Sequence, residues 1–526
     1  MKRRIQVVIC RDCSNQVPVL DLDKMAKVAS EAPYVGSVSV VDRACQPKTV
    51  ASLVEEAKVK EVDRVLVIPC SKADISPGLF NAYTKKAKVN EFLMEGVDLV
   101  NEVILPHRDE PERAQTKAEA RLSAAITRLS MLEPLARDSE PMRTKNVVVI
   151  GAGIAGLEAA RVAAANGLHT VLIEKTDRSL KAPDVLLSRS RLVRAEGYGG
   201  NFRLTIQAGE KQETLECGAV VVASGGNWEE AKGPLPKACK DAIPLFRLKE
   251  MVDEGRLPEG SLVIIDTPDP KGTATKAQDF VWDDALAVAI AAKRAAPEAE
   301  VSVVFQEMRA SGLAELVYRD AAEIGVRFIR YDKKSPPAID KGNPRRIVVK
   351  DSAQDETVAL KFDTLAYASV PANPDNLDIA DALRIPLSLD GGIRRGSMQR
   401  GPIATPRPGI YVCGSAMFPK SEAAAKAEGI AAGVLASQYV TSGVVEFGGS
   451  VAVVTPERCS ACLTCVRTCP YEAPFIGGAG KAEIRLQLCQ GCGMCAGICP
   501  SKAIDIHNYT DEQVSTETAA YLGGDF

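Results

Sequence analysis

Toward its C-terminus the chain writes one short pattern twice: Cys459-Ser-Ala-Cys462-Leu-Thr-Cys465-Val-Arg-Thr-Cys469-Pro470, then Cys489-Gln-Gly-Cys492-Gly-Met-Cys495-Ala-Gly-Ile-Cys499-Pro500. In a C-x₂-C-x₂-C-x₃-C-P run, tight turns let three thiolates surround one face of an iron–sulfur cubane. The fourth lies on a short helix and ligates the other cluster. The expected sets are therefore Cys459, Cys462, Cys465 and Cys499 for one [4Fe–4S] cluster, and Cys469, Cys489, Cys492 and Cys495 for a second. Zinc also accepts four cysteines in C-x₂-C pairs. Two complete copies, each with its trailing proline, favour iron–sulfur.

Cysteine usage elsewhere supports metal chemistry. Of 15 cysteines in 526 residues, eight lie in the double motif and four more are Cys10, Cys13, Cys45 and Cys70. Such clustering in a reducing compartment reads as ligation more than as disulfides. The apolar run that ends at Cys10 is too short for a signal-peptide core. Nowhere do about 18 apolar residues run together, so no membrane span is expected. A cytoplasmic protein is the expectation. Lys and Arg total 65 against 68 Asp and Glu, a net charge of −3, which argues against a nucleic-acid partner.

A chain of this length divides into roughly two to four domains. Residues 3–135 alternate the strand-like runs RRIQVVIC, VGSVSVV, RVLVIPC and LVNEVILPH with the amphipathic stretches LDLDKMAKVAS, PKTVASLVEEAK and SPGLFNAYTKKAK. That alternation predicts a mostly parallel α/β sheet. The polar, proline-containing segment 133–145 reads as a linker. A second α/β unit opens at NVVVIGAGIAGLEAA and runs to about residue 450, with SLVIIDTPD and VSVVFQEMR as further strands around the helix DDALAVAIAAKRAA. The expected fold class is α/β: an N-terminal parallel-sheet domain over 1–136, a Rossmann-like domain over 144–450 and a small α+β domain over 451–526. The tail after residue 508 carries the capping-box pattern Thr510–Gln513; its polar composition suits either a docking segment or a solvated end.

Gly151-Ala152-Gly153-Ile154-Ala155-Gly156 follows the apolar run 147–150 and opens a helix-compatible stretch, and the next strand ends in Glu174-Lys175. This is a dinucleotide fingerprint in its full context. The first glycine allows the turn, the second admits the pyrophosphate to the helix N-terminus, and the third permits close helix–strand packing. The acid suits a ribose hydroxyl. The bland alternative is a glycine-rich packing turn.

In the N-terminal region Cys10 closes the first strand with Cys13 just after it, Cys45 follows the second, and Cys70 ends the third. Ligands of open α/β sheets bind outside the carboxyl ends of strands, so these four suit a third [4Fe–4S] cluster, with His107 as a spare ligand. The alternative is that Cys10 and Cys70 are simply buried strand-end residues.

Two later pieces resemble the second and third contact segments of two-dinucleotide-domain flavoproteins of the thioredoxin reductase type: VVVASGG at 220–226 and GIYVCGSAMFPKSEAAAKAEG at 409–429. The resemblance implies FAD, with Ala223, Ser224 and Gly225 on the second segment and Gly414 and Ser415 facing the ribityl pyrophosphate. It also implies that Lys420 lies near the isoalloxazine, where a cation would stabilise reduced flavin; the alternative is a solvated residue at a helix start. A nested subdomain at about 240–400 would be the nicotinamide half. Its expected glycine-rich turn reads TPDPKGTATKAQ, without a fingerprint, so the subdomain is read as degenerate.

Taken together, GAGIAGLEAA, MRASGLAELVYRDAAEIGVRFIR, VCGSAMFPKS, the double cysteine motif and IHNYTDEQV, in that order, resemble the A-type polypeptide of heterodisulfide reductase. The resemblance spans nearly the whole chain. It implies an oxidoreductase component that relays electrons between [4Fe–4S] clusters and FAD in an anaerobic complex. Implied partners are heterodisulfide reductase B/C-like subunits, hydrogenase, formate dehydrogenase or similar modules, with a homodimer of the flavin-binding polypeptide also open. Some members of that family bifurcate electron pairs. This sequence departs from the family in lacking an inserted ferredoxin domain after the fingerprint, and in the C-x₂-C spacing of Cys10 and Cys13. Bifurcation needs two separate cluster paths, and one is clear here. The alternative function is a stand-alone FAD/iron–sulfur oxidoreductase using NAD(P)H or a small substrate.

Overall fold

The computed structural model describes residues 3–11, 20–70, 75–177, 184–228, 239–266, 279–310, 312–368, 371–372, 375–396 and 401–523. The chain forms two compact units, Met1–Ser139 with Glu446–Phe526, and Glu140–Val445.

In the first unit, four strands form a sheet in which Ile5–Cys10 lies between Val35–Val41 and Arg64–Ile68, with Met94–Gly96 at the edge beyond Arg64–Ile68. All three pairings are parallel. IQVVIC is almost continuously apolar because both of its faces are covered. Ile5, Val7 and Ile9 pack with Met25 and Ala29 of helix Leu22–Glu31 and with Ala118 and Leu122 of helix Pro111–Met131. Val8 and Cys10 face Val54, Leu79 and Tyr83. The one polar residue of the strand, Gln6, accepts a hydrogen bond from Tyr83 Oη at 2.8 Å, as a buried amide must.

Two sequence expectations are corrected here. LVNEVILPH is not the fourth strand: Val100–Ile104 is a helical turn, and the strand is Met94–Gly96. The buried residues Leu99, Val103 and Ile104 recur at helical, not alternating, spacing. His107 therefore does not close a strand. Within 133–145, Arg137–Pro141 is a strand with mostly exposed side chains, which no apolar pattern announces.

The C-terminal part of this unit is built from two short antiparallel pairs, Ala452–Val454 with Ile504–Ile506 and Pro474–Ile476 with Ala482–Ile484. Helices Thr464–Thr468 and Met494–Ile498 complete it. The tail then forms helix Asp511–Leu522, whose start is a capping box between Thr510 and Gln513. This helix lies against Pro111–Met131: Glu517 is paired with Arg121 and Arg128, and Gln513 Nε2 donates to the Met131 carbonyl at 3.1 Å. The tail docks on helix Pro111–Met131 of the same unit.

The second unit repeats one plan. A five-stranded parallel sheet, ordered Ile410–Val412, Ala219–Val222, Val147–Ile150, Thr170–Ile173, Val185–Leu187, is followed by an antiparallel sheet of Ser190–Tyr198, Asn201–Ala208 and Lys211–Cys217. Nested within it is a second five-stranded parallel sheet, ordered Ile243–Pro244, Thr364–Tyr367, Leu262–Ile265, Val301–Phe305, Arg327–Arg330, with its own antiparallel sheet over Ala338–Ile339, Arg346–Asp351 and Glu356–Lys361. Helix Asp375–Leu383 lies inside the 240–400 span, yet its Ile379, Ala380 and Leu383 share a core with Val148, Ile150 and Val220 of the first sheet. Helices Ile154–Ala165 and Glu422–Thr441 pack backbone to backbone. A Cβ on Gly429 would stand 2.3 Å from the Ala155 carbonyl oxygen. Among the described residues no helix is long and apolar enough to cross a membrane.

Candidate cofactor sites

The two cysteine runs fold into two cavities. One is lined by Cys459, Cys462, Cys465 and Cys499, together with Leu463, Ala482 and Ile504. The other is lined by Cys469, Cys489, Cys492 and Cys495, with Tyr471, Ile484 and Ile506. The fourth thiol lining each cavity comes from the other run. The backbone shapes both loops alike. Ala461 and Leu463 in the first, and Gly491 and Gly493 in the second, take positive φ, which turns the chain tightly enough to aim successive thiols at one cavity.

Amide groups point at the sulfurs: Ala482 N to Cys459 Sγ at 3.4 Å, Ala452 N to Cys489 Sγ at 3.5 Å, and Ala503 N to Cys499 Sγ at 3.3 Å. Such bonds stabilise thiolate and tune a bound cluster. The Thr464 hydroxyl and amide hold the Cys462 thiol below its ordinary pKa. Burial, with the neighbouring thiols, pushes Cys495 up to about 11. No three His, Cys, Asp or Glu side chains among the described residues converge as on a single metal ion. The donor chemistry, four thiols around a mostly apolar cavity, fits a [4Fe–4S] cluster.

The turn Gly151–Gly156 is tightly packed. Gly151 has φ +104°, and a Cβ there would stand 2.2 Å from the Ala223 carbonyl oxygen. A Cβ on Gly156 would stand 1.9 Å from the Gly151 carbonyl oxygen, whereas one on Gly153 would meet nothing within 4 Å. The first and third glycines are therefore demanded by the protein itself. The second leaves open space at the start of helix Ile154–Ala165, where a pyrophosphate meets helix amides. Ala155 is buried and Ile154 exposed.

Glu174 is buried; its Oε2 accepts from Ala152 N at 2.8 Å, and its Oε1 accepts from Thr176 N and Thr176 Oγ1 at 2.9 and 2.6 Å. The acid is thus tied into the glycine turn. Lys175 forms an ion pair with Asp375.

The second and third segments meet at the carboxyl ends of adjacent parallel strands, since Ala219–Val222 pairs with Ile410–Val412. Ala223 is buried and Gly225 has φ +68°. Ser224 Oγ donates to Asn376 Oδ1 at 2.7 Å, and Asn376 Nδ2 donates to the carbonyls of Gly391 and Ala416 at 3.0 and 2.9 Å. Ser415 lies in the tight turn Gly414–Ala416.

Lys420 is not the solvated residue that composition allowed. Its side chain is 5% exposed, ion-paired with Glu428, and its Nζ stands 4.0 Å from the centroid of the Phe418 ring. Glu428 Oε2 also accepts from Gly414 N at 2.9 Å. Burial pulls the Lys420 ammonium below its ordinary pKa, while Glu428 opposes that shift. Burial pushes the adjacent Cys413 thiol up to about 12, which keeps it protonated. Glu428 and Asn376 were not expected to be functional. Glu428 lies in the helix after the lysine with no motif to mark it, and only the packing of that helix on the Gly414 turn brings the two together.

In the N-terminal sheet, Cys10 ends the central strand, Cys45 follows its neighbour on one side and Cys70 its neighbour on the other. All three sit at the carboxyl edge, Cys10 buried, Cys70 half-buried and Cys45 exposed. Cys10 Sγ lies 3.5 Å from the Asp42 carbonyl. Cys13 lies outside the described residues, as does the turn TPDPKGTATKAQ.

Comparison with known proteins agrees with the cysteine and glycine motifs. Residues 452–500 match the family described as "4Fe-4S dicluster domain", and residues 146–185 match "Glucose inhibited division protein A". The chain is 23% identical to the second iron–sulfur A-type polypeptide of CoB–CoM heterodisulfide reductase from Methanopyrus kandleri, over 89% of its own length and 90% of the relative's. It is 24% identical to the A-type polypeptide of H₂:CoB–CoM heterodisulfide,ferredoxin reductase from Methanothermobacter thermautotrophicus, over 99% and 97%. Among solved structures, thioredoxin reductase of T. acidophilum aligns with a TM-score of 0.38 at 14% identity, covering 57% of this chain and 99% of its own. The thiol cavities and the dinucleotide turn, with the sequence matches, define an oxidoreductase of the class that depends on FAD and [4Fe–4S] clusters. Within that class the chain is like the A-type polypeptide of heterodisulfide reductase.

Proposed function

We propose that the chain is the electron-relay component of a multisubunit anaerobic oxidoreductase, passing electrons between two [4Fe–4S] clusters and FAD and on to a partner that carries the terminal substrate. The observation that carries this reading is the presence, in one chain, of two crosswise four-thiol cavities and a glycine-shaped dinucleotide turn. Cys459, Cys462, Cys465 and Cys499 would hold one cluster, and Cys469, Cys489, Cys492 and Cys495 the other. Gly151, Gly153, Ile154, Ala155 and Gly156 would receive the FAD pyrophosphate, Glu174 and Lys175 its ribose. Ala223, Ser224, Gly225, Gly414 and Ser415 would line the rest, and Lys420 would stand beside the ring.

When bound, the clusters supply one-electron transfer, and FAD exchanges one- for two-electron chemistry. The chain's own residues do the rest. The thiols bind, the amides of Ala452, Ala482 and Ala503 donate to sulfur, and helix Ile154–Ala165 presents its N-terminus to an anion. Lys420 brings a buried positive charge.

We further propose a third [4Fe–4S] cluster on Cys10, Cys13, Cys45 and Cys70, supported by three of these thiols lying at one edge of adjacent parallel strands. Bifurcation is tied to it, because a loaded N-terminal edge would supply a second cluster path. A cytoplasmic location suits thiolate-held clusters. The relatives' names, A subunits of heterodisulfide reductase, support a multisubunit complex, and the partners proposed for it resemble heterodisulfide reductase B and C subunits, hydrogenase or formate dehydrogenase.

The deciding experiment is anaerobic affinity purification from the native host, with co-purifying subunits identified by mass spectrometry and iron counted per chain. Stable partners carrying clusters or a catalytic metal are expected. Recovery of the chain alone, with rapid NAD(P)H-dependent bleaching of its flavin, would overturn the relay and establish the stand-alone reductase. Twelve irons per chain are expected with the third cluster and eight without it, on the basis of four per cubane.

A further inference from the structure

Lys420 is a buried cation beside the turn assigned to the flavin, and a lone buried cation would pull strongly toward reduced, anionic flavin. The structure does not leave it alone. One carboxylate oxygen of Glu428 accepts from the Gly414 amide at 2.9 Å and also carries the Lys420 ammonium. The Gly414 bond fixes the carboxylate to the very turn that would face the cofactor, and the carboxylate in turn fixes the lysine. The Phe418 ring supplies the other wall, with Lys420 Nζ at 4.0 Å and the Arg395 guanidinium at 5.6 Å from its centroid.

Helix Glu422–Thr441 presents Glu428 here because Gly429, the next residue, seats the helix directly on the Ala155 backbone. A side chain at 429 would lift the helix, and the carboxylate with it. The fingerprint helix, the Gly414 turn and the Lys420–Glu428 pair therefore form one continuous construction.

We propose that Glu428 is a positioning residue that sets the charge at the flavin edge. It pins Lys420 in place and cancels most of its field, so that the flavin potential reflects a paired, nearly neutral group. This inference rests on the flavin reading given above. Opposite charges in contact within a buried site cancel at longer range.

The test is a spectroelectrochemical titration of the flavin in the anaerobically purified full chain, after FAD per chain has been counted by acid release. Glu428→Gln keeps the shape and the acceptor for Gly414 N while removing the charge. Titrated at a pH low enough to keep Lys420 protonated, its flavin should reduce more easily, with a tenfold or greater change in the one-electron equilibrium, about 59 mV. Lys420→Gln should move the equilibrium the other way. The double variant, with both partners neutral, should return to within threefold of the unaltered protein. Because the double variant leaves no uncompensated charge buried, it carries the test even where E428Q does not fold.

An unchanged potential in E428Q with full FAD occupancy would overturn the proposal. So would a double variant that tracks K420Q alone, since the lysine charge would then have been acting uncancelled. An unaltered chain that binds no FAD would overturn the flavin reading itself, and is told apart by the FAD count made before any titration.

Discussion

Asn508 and Glu133 are joined by two hydrogen bonds that run in opposite directions: Asn508 Oδ1 accepts from Glu133 N at 2.8 Å, and Asn508 Nδ2 donates to the Glu133 carbonyl at 3.0 Å. Asn508 is buried and has φ +64°, a conformation that asparagine adopts more readily than most residues. Arg128 adds a second tie, its guanidinium standing 4.4 Å from the centroid of the Tyr509 ring. Asn508→Ala removes both bonds and, at about 1 kcal/mol for each, should cost about 2 kcal/mol. A fall in the urea midpoint of the N-terminal unit with iron content unchanged is the expected result.

Gly156→Ala and Gly153→Ala should separate folding from binding. The first drives a Cβ into the Gly151 carbonyl oxygen at 1.9 Å, and the second meets nothing within 4 Å. Gly156→Ala should lower thermal stability and abolish FAD retention together. Gly153→Ala should leave the melting temperature of FAD-free protein unchanged and weaken FAD binding alone. Differential scanning fluorimetry with and without added FAD reads both.

Cys469→Ser should damage the cluster of the other run. Its thiol lines the cavity of Cys489, Cys492 and Cys495, not that of its own neighbours. Electron paramagnetic resonance of the reduced protein should show the signal lost in C469S to be the one lost in C492S, with the C462S signal retained.

Asp266 gives the nested subdomain a pH dependence. The residue is buried, Oδ1 has no hydrogen-bond partner among the described residues, and burial raises the carboxyl to about 6, partly offset by the Gln306 amide and the charge of Arg309. An unfolded Asp titrates near about 3.9, so between these values the folded state binds more protons. Stability from this group is complete below pH ~4 and is lost as pH rises through ~6. Asp266→Asn should flatten that slope and stabilise the protein at neutral pH by about 2–3 kcal/mol, read from urea midpoints across pH 4–7.

The cysteine cavities were legible because their ligands are specified by short-range spacing, and the glycine turn because each glycine answers a local backbone demand. Other features lacked such signals. LVNEVILPH fits an apolar strand as well as a helix over so short a run, and only the burial of Leu99, Val103 and Ile104 decides. The antiparallel sheet around Asn201–Ala208 does alternate, with Phe202, Leu204 and Ile206 buried between more exposed neighbours. Its place beside the parallel sheet is a property of topology. The Glu428 contacts depend on how one helix seats on a turn, and the Asn508–Glu133 pair joins residues 375 positions apart. No pattern read along a chain encodes a distance of that kind.

The crossed ligand sets also order events in time. As the chain leaves the ribosome, three thiols of the first run emerge early, yet their cavity still lacks Cys499, the last cysteine in the sequence. The cavity of Cys469 is complete as soon as Cys495 has appeared. The pocket begun first is therefore finished last, and a chain stopped before residue 499 lacks the fourth thiol of that pocket.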